Sequence, residues 1–561
     1  MNSPRQGIRN IPEICVQHGI SKVIITPGSR NAPLIISFNQ HDKITCLSIT
    51  DERSAGYFAL GIAQVTNRPV ALVCTSGTAA LNFGPAIAEA WYQKLPLIVF
   101  TADRPPEWID QADGQTIRQT GLFSNHVKQN FILPVETSNE EDLWYHDRLI
   151  SQAVDLACRL PQGPVHINVP LREPLYTELP QMTVKPKIFK TFISETDIQE
   201  TKIESLLNIW SQSAKKMIIA GFGKPDFQLE KLLGEIAIDK SVVVIAENLS
   251  NMVNSRFIYA PERFFATLKP DELADYQPDL LLTLANSVVS KKLKQYLRTR
   301  KPSQHWHLGP DAAYTDTFQS LTLNVNIPAE LFFQKVTSKN LQNDFNSNYN
   351  DLFHRREEKI CAKQLSFLKQ APFSDLKSFE IILQSLPEGT NLHLANSTPV
   401  RYAQLFESRS DIDYYSNRGT SGIDGCISTA AGACYGSKQP TTVIAGDLAF
   451  IYDSNGLWNN YLDENFRIIV LNNGGGNIFS LIETGREMES FREYFETPHH
   501  VNLKRIADAF GIKHYHCSDS SGLRQQLKLC YAESGPAVLE VRTDGRTNTK
   551  VFREYFGNIG K

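Results

Sequence analysis

No two of the nine cysteines in this 561-residue chain stand in a C-x-x-C pair. An odd, scattered set of thiols excludes a zinc ribbon and a disulfide framework, and fits buried thiols in a reducing compartment. No apolar run approaches the ~18 residues of a membrane span. The N-terminal stretch MNSPRQGIRNIPEICVQHGI has no apolar core of signal-peptide length. Charge of one sign is lacking too: 57 Lys and Arg face 60 Asp and Glu, a net charge of −3. That balance leaves no electrostatic footprint for nucleic acid or an anionic membrane. These absences predict a cytoplasmic protein whose cationic work falls to locally placed arginines and lysines.

Two further patterns are missing. No H-x-x-x-H or His/Glu cluster exists, so His126, His166, His305 and His307 read as isolated core or surface groups. His305 and His307 alternate on a strand and face one side. Gly221-Phe222-Gly223 follows a strand but lacks the third glycine of a dinucleotide fingerprint, which argues against a nicotinamide site.

What is present reads as α/β. Hydrophobic residues make up 42% and charged residues 21%, a globular composition. The length suggests three or four domains at about 150 residues each. Short apolar, β-branched runs end in turn residues: 22–26, 69–75, 95–102 and 164–170, with helical stretches at 79–92 and 141–159 between them. The pattern returns at 216–221, 241–247, 279–285 and 305–309, and again at 391–396, 441–447, 466–473 and 537–543. Continuous apolar strands alternating with helices predict parallel sheets covered on both faces. The expected domains are residues 1–182, 195–345 and 370–561, joined by polar stretches near 181–200 and 337–375.

The chemistry is concentrated in the third segment. Gly446-Asp447 closes one apolar strand and Asn472-Asn473-Gly474-Gly475 closes the next, a strand–helix–strand interval. Asp447 and Asn473 should then emerge at the carboxyl edge of neighbouring parallel strands, where open α/β sheets bind ligands. A carboxylate and an amide oxygen suit a hard cation such as Mg²⁺, which completes its shell with phosphates and water. The glycines that follow let a backbone carbonyl turn inward as a third ligand. In the first segment, Asp51-Glu52-Arg53 opens a helix whose inward positions are Ala55, Ala59, Ile62 and Ala63.

On these motifs the chain resembles the thiamine diphosphate enzymes of the pyruvate-oxidase type. Longer segments resemble one branch of that family, the menaquinone-pathway enzymes. They are TPGSRNAPL (26–34), DERSAGYFALGIA (51–63), TSGTAALNFGPAIAEA (75–90), TADRPPE (101–107) and GQTIRQTGLF (114–123), then SNRGTSGIDG (416–425), STAAG (428–432), AGDLAF (445–450) and GGNIFSLI (475–482). The resemblance spans all three segments and thins across 180–390.

The resemblance implies a pyrimidine-binding first domain, a Rossmann-like middle domain and a diphosphate-binding third domain. It implies a transferase that decarboxylates 2-oxoglutarate and adds the remaining succinyl unit 1,4 to isochorismate, with thiamine diphosphate and Mg²⁺ or Mn²⁺ as cofactors. It also implies a homodimer or dimer of dimers. Glu52 would hydrogen-bond the cofactor's aminopyrimidine, and Ile423 would sit beneath the bent cofactor. Gly446, Asp447, Leu448 and Asn473 would hold the diphosphate, with Asp447, Asn473 and the Gly475 carbonyl on the metal. The dicarboxylate substrates would meet Ser29, Arg30, Arg104, Gln115, Lys291, Lys292, Ser397, Arg401 and Arg418, with Ile478 and Phe479 as an apolar wall. Lys291-Lys292 stands where the family more often shows Lys-Arg, and either lysine can face the pocket. Another thiamine diphosphate 2-oxo acid decarboxylase or carboligase, and an inactive structural relative, remain as alternatives.

Overall fold

The computed structural model describes residues 5–177, 185–191, 199–310, 314–339, 347–481 and 490–560. Its described strands form three six-stranded sheets, paired in parallel throughout. The first holds β1 (Lys22–Ile25), β2 (Thr45–Ser48), β3 (Val70–Cys74), β4 (Leu97–Asp103), β5 (Asn130–Ile132) and β6 (Val165–Pro170). The second holds β7 (Lys216–Ala220), β8 (Val242–Ala246), β9 (Phe257–Ile258), β10 (Leu280–Leu284), β11 (Gln304–Leu308) and β12 (Leu323–Val325). The third holds β13 (Thr390–Leu394), β14 (Ile412–Tyr415), β15 (Thr441–Gly446), β16 (Phe466–Asn472), β17 (Lys513–Cys517) and β18 (Ala537–Arg542).

The first sheet runs β2-β1-β3-β4-β6-β5 and the third runs β14-β13-β15-β16-β18-β17, the same order twice. The second runs β12-β11-β10-β7-β8-β9, the doubly wound order of dinucleotide-binding folds. Central strands such as β3, β4, β8 and β16 are buried along their whole length, as sheets covered on both faces require.

The cores are shared. Ile24, Leu72 and Val99 of the first sheet lie in one apolar cluster with Val443, Ile468 and Val538 of the third. Met217 and Leu281 of the second join Leu392, Ile444 and Ile469 of the third on its other face. The helices Glu52–Thr66 and Cys426–Ser437 cross between the first and third sheets, each through a glycine. A Cβ on Gly61 would lie 1.9 Å from the Thr429 carbonyl oxygen, and one on Gly432 would lie 2.0 Å from that of Phe58. Neither position has room for a side chain.

One expectation is corrected. The helical stretch 79–92 is two helices, Thr78–Asn82 and Gly84–Gln93, because Pro85 supplies no backbone N–H and starts a new helix. The domain limits at 182, 195 and 345 lie outside the described residues, while residue 370 ends the helix Tyr349–Gln370. Among the described residues no helix is long and apolar enough to cross a membrane.

Candidate active site

In doubly wound sheets ligands bind at the carboxyl edge, where the strand order reverses. That point lies between β1 and β3 in the first sheet and between β13 and β15 in the third. The sequence candidates fall in three groups, two on loops at these edges and a third that adds Lys291 and Lys292, at the start of the helix after β10 of the second sheet.

The first group surrounds Asp447, which opens the short helix Asp447–Tyr452 and is 2% exposed. Its Oδ1 accepts the Leu448 N–H at 2.7 Å, and Oδ2 accepts those of Gly474 and Gly475 at 2.8 and 3.0 Å. Burial raises its carboxyl pKa, against the Leu448 N–H and His499. His499 Nε2 stands 3.3 Å from Oδ2 without forming a hydrogen bond of proper geometry. Asn473 donates Nδ2 to Asp375 Oδ2 at 3.0 Å, while its own Oδ1 is buried with no donor. Asn472 is engaged differently, its Nδ2 on Glu540 and its Oδ1 on the Gly474 N–H. Beside Gly446 a Cβ would meet open space, and the same holds at Gly474, where φ is +84°.

A buried carboxylate, an orphaned amide oxygen and clear space over two glycines fit a cation carrying a diphosphate. The Gly475 carbonyl accepts the Asn477 N–H at 2.9 Å, which leaves one lone pair for a ligand. Beyond it, Asn473, Asn477, Phe491, Arg492 and Arg546 line a cavity of about 530 Å³. Ile478 opens the short helix Ile478–Leu481, and Phe479 packs edge-on to Phe495.

The second group stands on the first sheet. Asp51 caps the helix Glu52–Thr66 through the Ser54 N–H. Its other oxygen takes Asn455 Nδ2 at 2.6 Å, and Arg53 donates to the Tyr452 carbonyl at 2.8 Å. Both residues flanking Glu52 are thus tied to the segment after Asp447. Burial raises the Glu52 pKa, with a hydrogen bond from Thr26 opposing it. Arg30 is 7% exposed and donates to the Leu171 carbonyl at 3.1 Å and to Glu173 at 3.3 Å. Arg104 donates to Ser76 Oγ at 2.9 Å and to the Gln115 carbonyl at 3.4 Å, and pairs with Asp113. Arg30 feels the Arg104 charge after burial as a cause of its lowered pKa, so the two guanidiniums are neighbours. Ser29 is exposed on the same loop as Arg30.

The third group is cationic. Lys291 opens the helix Lys291–Thr299, and Arg401 beside it, then burial, lowers its pKa. Burial lowers that of Arg401 as well, and burial followed by Arg401 does so for Arg418. The cations press on one another, an arrangement that an anionic ligand relieves. Of the lysine pair, Lys291 stands by Arg401, whereas the Lys292 backbone N–H donates to Glu262 at 3.0 Å. The four-residue spacing of Ser397 and Arg401 predicts one shared helical face, but a φ of +78° places Ser397 outside the helix Thr398–Ala403.

Sequence reasoning missed the groups that support these residues. Lys294 lies near Arg418 and Arg401, lowered chiefly by burial. Glu247 accepts the N–H groups of Val289 and Ser290 at 2.6 and 2.7 Å, and burial pushes its carboxyl up to about 7. Glu89, 0% exposed, grips the loop after Arg418. A charged residue in the middle of an apolar helix, as in AIAEAW, is the one signal that marks Glu89.

Ile423 is half-buried against the apolar cluster shared by the first and third sheets. Its neighbour Asp424 accepts the Tyr57 hydroxyl at 2.7 Å. The histidines behave as packing groups: His305 and His307 both meet the Thr283 hydroxyl at 3.1 Å, and His166 meets those of Thr101 and the Asn130 amide oxygen.

Comparison with known proteins agrees with this layout. Residues 6–129 match the thiamine pyrophosphate enzyme N-terminal TPP binding domain, and residues 397–541 match the C-terminal TPP binding domain. The 2-succinyl-5-enolpyruvyl-6-hydroxy-3-cyclohexene-1-carboxylate synthase of Flavobacterium psychrophilum is 43% identical, with 98% of each chain covered. Those of Flavobacterium johnsoniae and Porphyromonas gingivalis are 42% and 38% identical, over 98% and 99% of this chain and 98% of theirs. The chain therefore belongs to the 2-succinyl-5-enolpyruvyl-6-hydroxy-3-cyclohexene-1-carboxylate synthase family of thiamine pyrophosphate enzymes.

Proposed function

We propose that the protein is a thiamine diphosphate-dependent transferase of the menaquinone pathway. It decarboxylates 2-oxoglutarate and joins the remaining succinyl unit, by 1,4-addition, to isochorismate. The observation that carries this reading is the crowding of Lys291, Arg401 and Arg418 at the carboxyl edge of the third sheet. A 2-oxo acid whose single carboxylate leaves as CO₂ would leave such a set without an anion after decarboxylation, whereas 2-oxoglutarate keeps a second one.

When bound, thiamine diphosphate supplies the nucleophilic carbon on which the 2-oxo acid loses CO₂. Asp447 and Asn473 would hold the Mg²⁺ that carries its diphosphate, with the Gly475 carbonyl as a further ligand. Gly446 and Leu448 would line the diphosphate, and Ile423 would support the cofactor from below. Glu52 would share a proton with the pyrimidine ring nitrogen, a role its raised pKa supports because burial favours the neutral carboxyl. Arg401, Arg418 and Lys291 would hold the 2-oxoglutarate carboxylates. Arg30 and Arg104, with Ser29 and Gln115, would hold isochorismate, and Ile478 and Phe479 would keep water away.

The family resemblance supports a homodimer or a dimer of dimers, with the cofactor between Glu52 of one copy and Asp447 of another. The segments 1–182, 195–345 and 370–561 are proposed as the pyrimidine-binding, middle and diphosphate-binding domains. The deciding experiment incubates the protein with thiamine diphosphate, Mg²⁺, 2-oxoglutarate and isochorismate. The adduct of both substrates is expected by mass spectrometry. Release of CO₂ with no coupled product would mark a simple decarboxylase instead.

A further inference from the structure

Asn473 can present either end of its amide to a metal, and only the oxygen binds one. The choice is made by Asp375. This residue opens the helix Asp375–Ser385, is fully buried, and sends Oδ2 to Asn473 Nδ2 at 3.0 Å. A carboxylate accepts hydrogen bonds and does not donate them, so the amide nitrogen must face it. The opposite orientation would set two oxygens against each other in a buried site. The Asn473 oxygen is thereby turned away from Asp375, and it is the atom that lacks any donor.

Asp375 is itself fixed. Its Oδ1 accepts the Thr543 hydroxyl at 2.6 Å, and its backbone N–H donates to Asn548 Oδ1 at 2.9 Å. Asn548 donates in turn to Thr543 Oγ1 at 3.1 Å, and the Thr543 N–H donates to the Asn472 carbonyl at 3.0 Å. Asn548 belongs to the C-terminal helix Gly545–Ile559, so the last helix of the chain is hydrogen-bonded into the strand end that carries Asn473.

We propose that Asp375 is the positioning residue of the metal site: it sets the Asn473 amide so that Oδ1 faces the cation, with Thr543 and Asn548 holding it in place. The inference rests on the reading of Asn473 as a ligand of the metal that carries the cofactor. Partners that orient a ligand typically matter 10- to 100-fold in metal affinity.

The test measures thiamine diphosphate affinity by calorimetry at several Mg²⁺ concentrations, with folding checked by thermal melting. Asp375→Ala is expected to weaken Mg²⁺-dependent binding at least about tenfold. Asp375→Asn, whose amide oxygen still accepts from Asn473, should stay within about threefold of the parent. Thr543→Val, which removes one of the bonds that hold Asp375, should weaken Mg²⁺-dependent binding in the same sense but less than Asp375→Ala. In an Asn473→Ala background, Asp375→Ala should cause no further loss, since its effect passes through Asn473. Additive losses in that background, or an Asp375→Ala protein with unchanged Mg²⁺ dependence, would overturn the proposal. Should Asp375→Ala not fold, Asp375→Ser enters the same cycle with the same expected results. If the parent protein itself binds thiamine diphosphate without regard to Mg²⁺, the ligand reading of Asn473 fails, a result separate from any of these.

Discussion

Glu89 of the first unit holds Thr420 of the third by two bonds to one carboxylate oxygen: the Thr420 N–H at 2.7 Å and its hydroxyl at 2.5 Å both reach Oε2. The other oxygen takes the Gly419 N–H at 2.7 Å. Arg418 therefore leaves a loop that is pinned from another sheet. Glu89→Ala should remove the shared acceptor of two part-buried N–H groups, a loss of about 0.5–1.5 kcal/mol for each hydrogen bond. A lowered melting temperature and a raised KM for 2-oxoglutarate are expected together. A stable variant with normal KM would remove Glu89 from this role.

Glu52→Gln should nearly abolish turnover while the fold survives. The amide can still hydrogen-bond a ring nitrogen but cannot share its proton. Steady-state rates on folded, cofactor-loaded protein provide the check, and near-normal activity would refute the assignment.

Arg401 and Arg104 stand in separate groups and should act on separate substrates. A charge-assisted bond contributes about 1.5–3 kcal/mol, so losing one weakens binding roughly 10- to 150-fold. Arg401→Ala should raise the KM for 2-oxoglutarate more than that for isochorismate, and Arg104→Ala the reverse. Equal effects of both variants on both substrates would exclude this division.

A site shared between two copies should permit complementation. Glu52→Gln and Asp447→Ala proteins, each inactive, should regain activity when mixed under conditions of subunit exchange. One site of such a mixed dimer carries both defects and the other carries neither. Verified mixed dimers without activity would place each site within a single copy.

The twelve inner strands were legible as continuous apolar runs ending in turn residues. The strands the sequence concealed, β2, β5, β9, β12, β14 and β17, are the two edges of each sheet. An edge strand has a neighbour on one side only and tolerates polar residues, as KHYHC of β17 shows with its mixed burial. Asp447 and Asn473 were legible because each ends an apolar strand. Asp375 and Glu247 were not, since they support the site from a helix start and a strand end far away in sequence, and Lys294, three residues after Lys291, belongs to no motif. Ser397 misled because spacing alone cannot reveal a left-handed residue before a helix.

The glycine crossing of the helices Glu52–Thr66 and Cys426–Ser437 implies a local dyad. Gly61 meets Thr429 as Gly432 meets Phe58, and the sheets on either side share one strand order. Glu52 lies nine residues before Gly61, and Ile423 nine before Gly432. The carboxylate proposed to share the cofactor's proton and the side chain proposed to brace it therefore stand at equal sequence distance from the two glycines of the crossing, the first opening its helix and the second three residues ahead of its own.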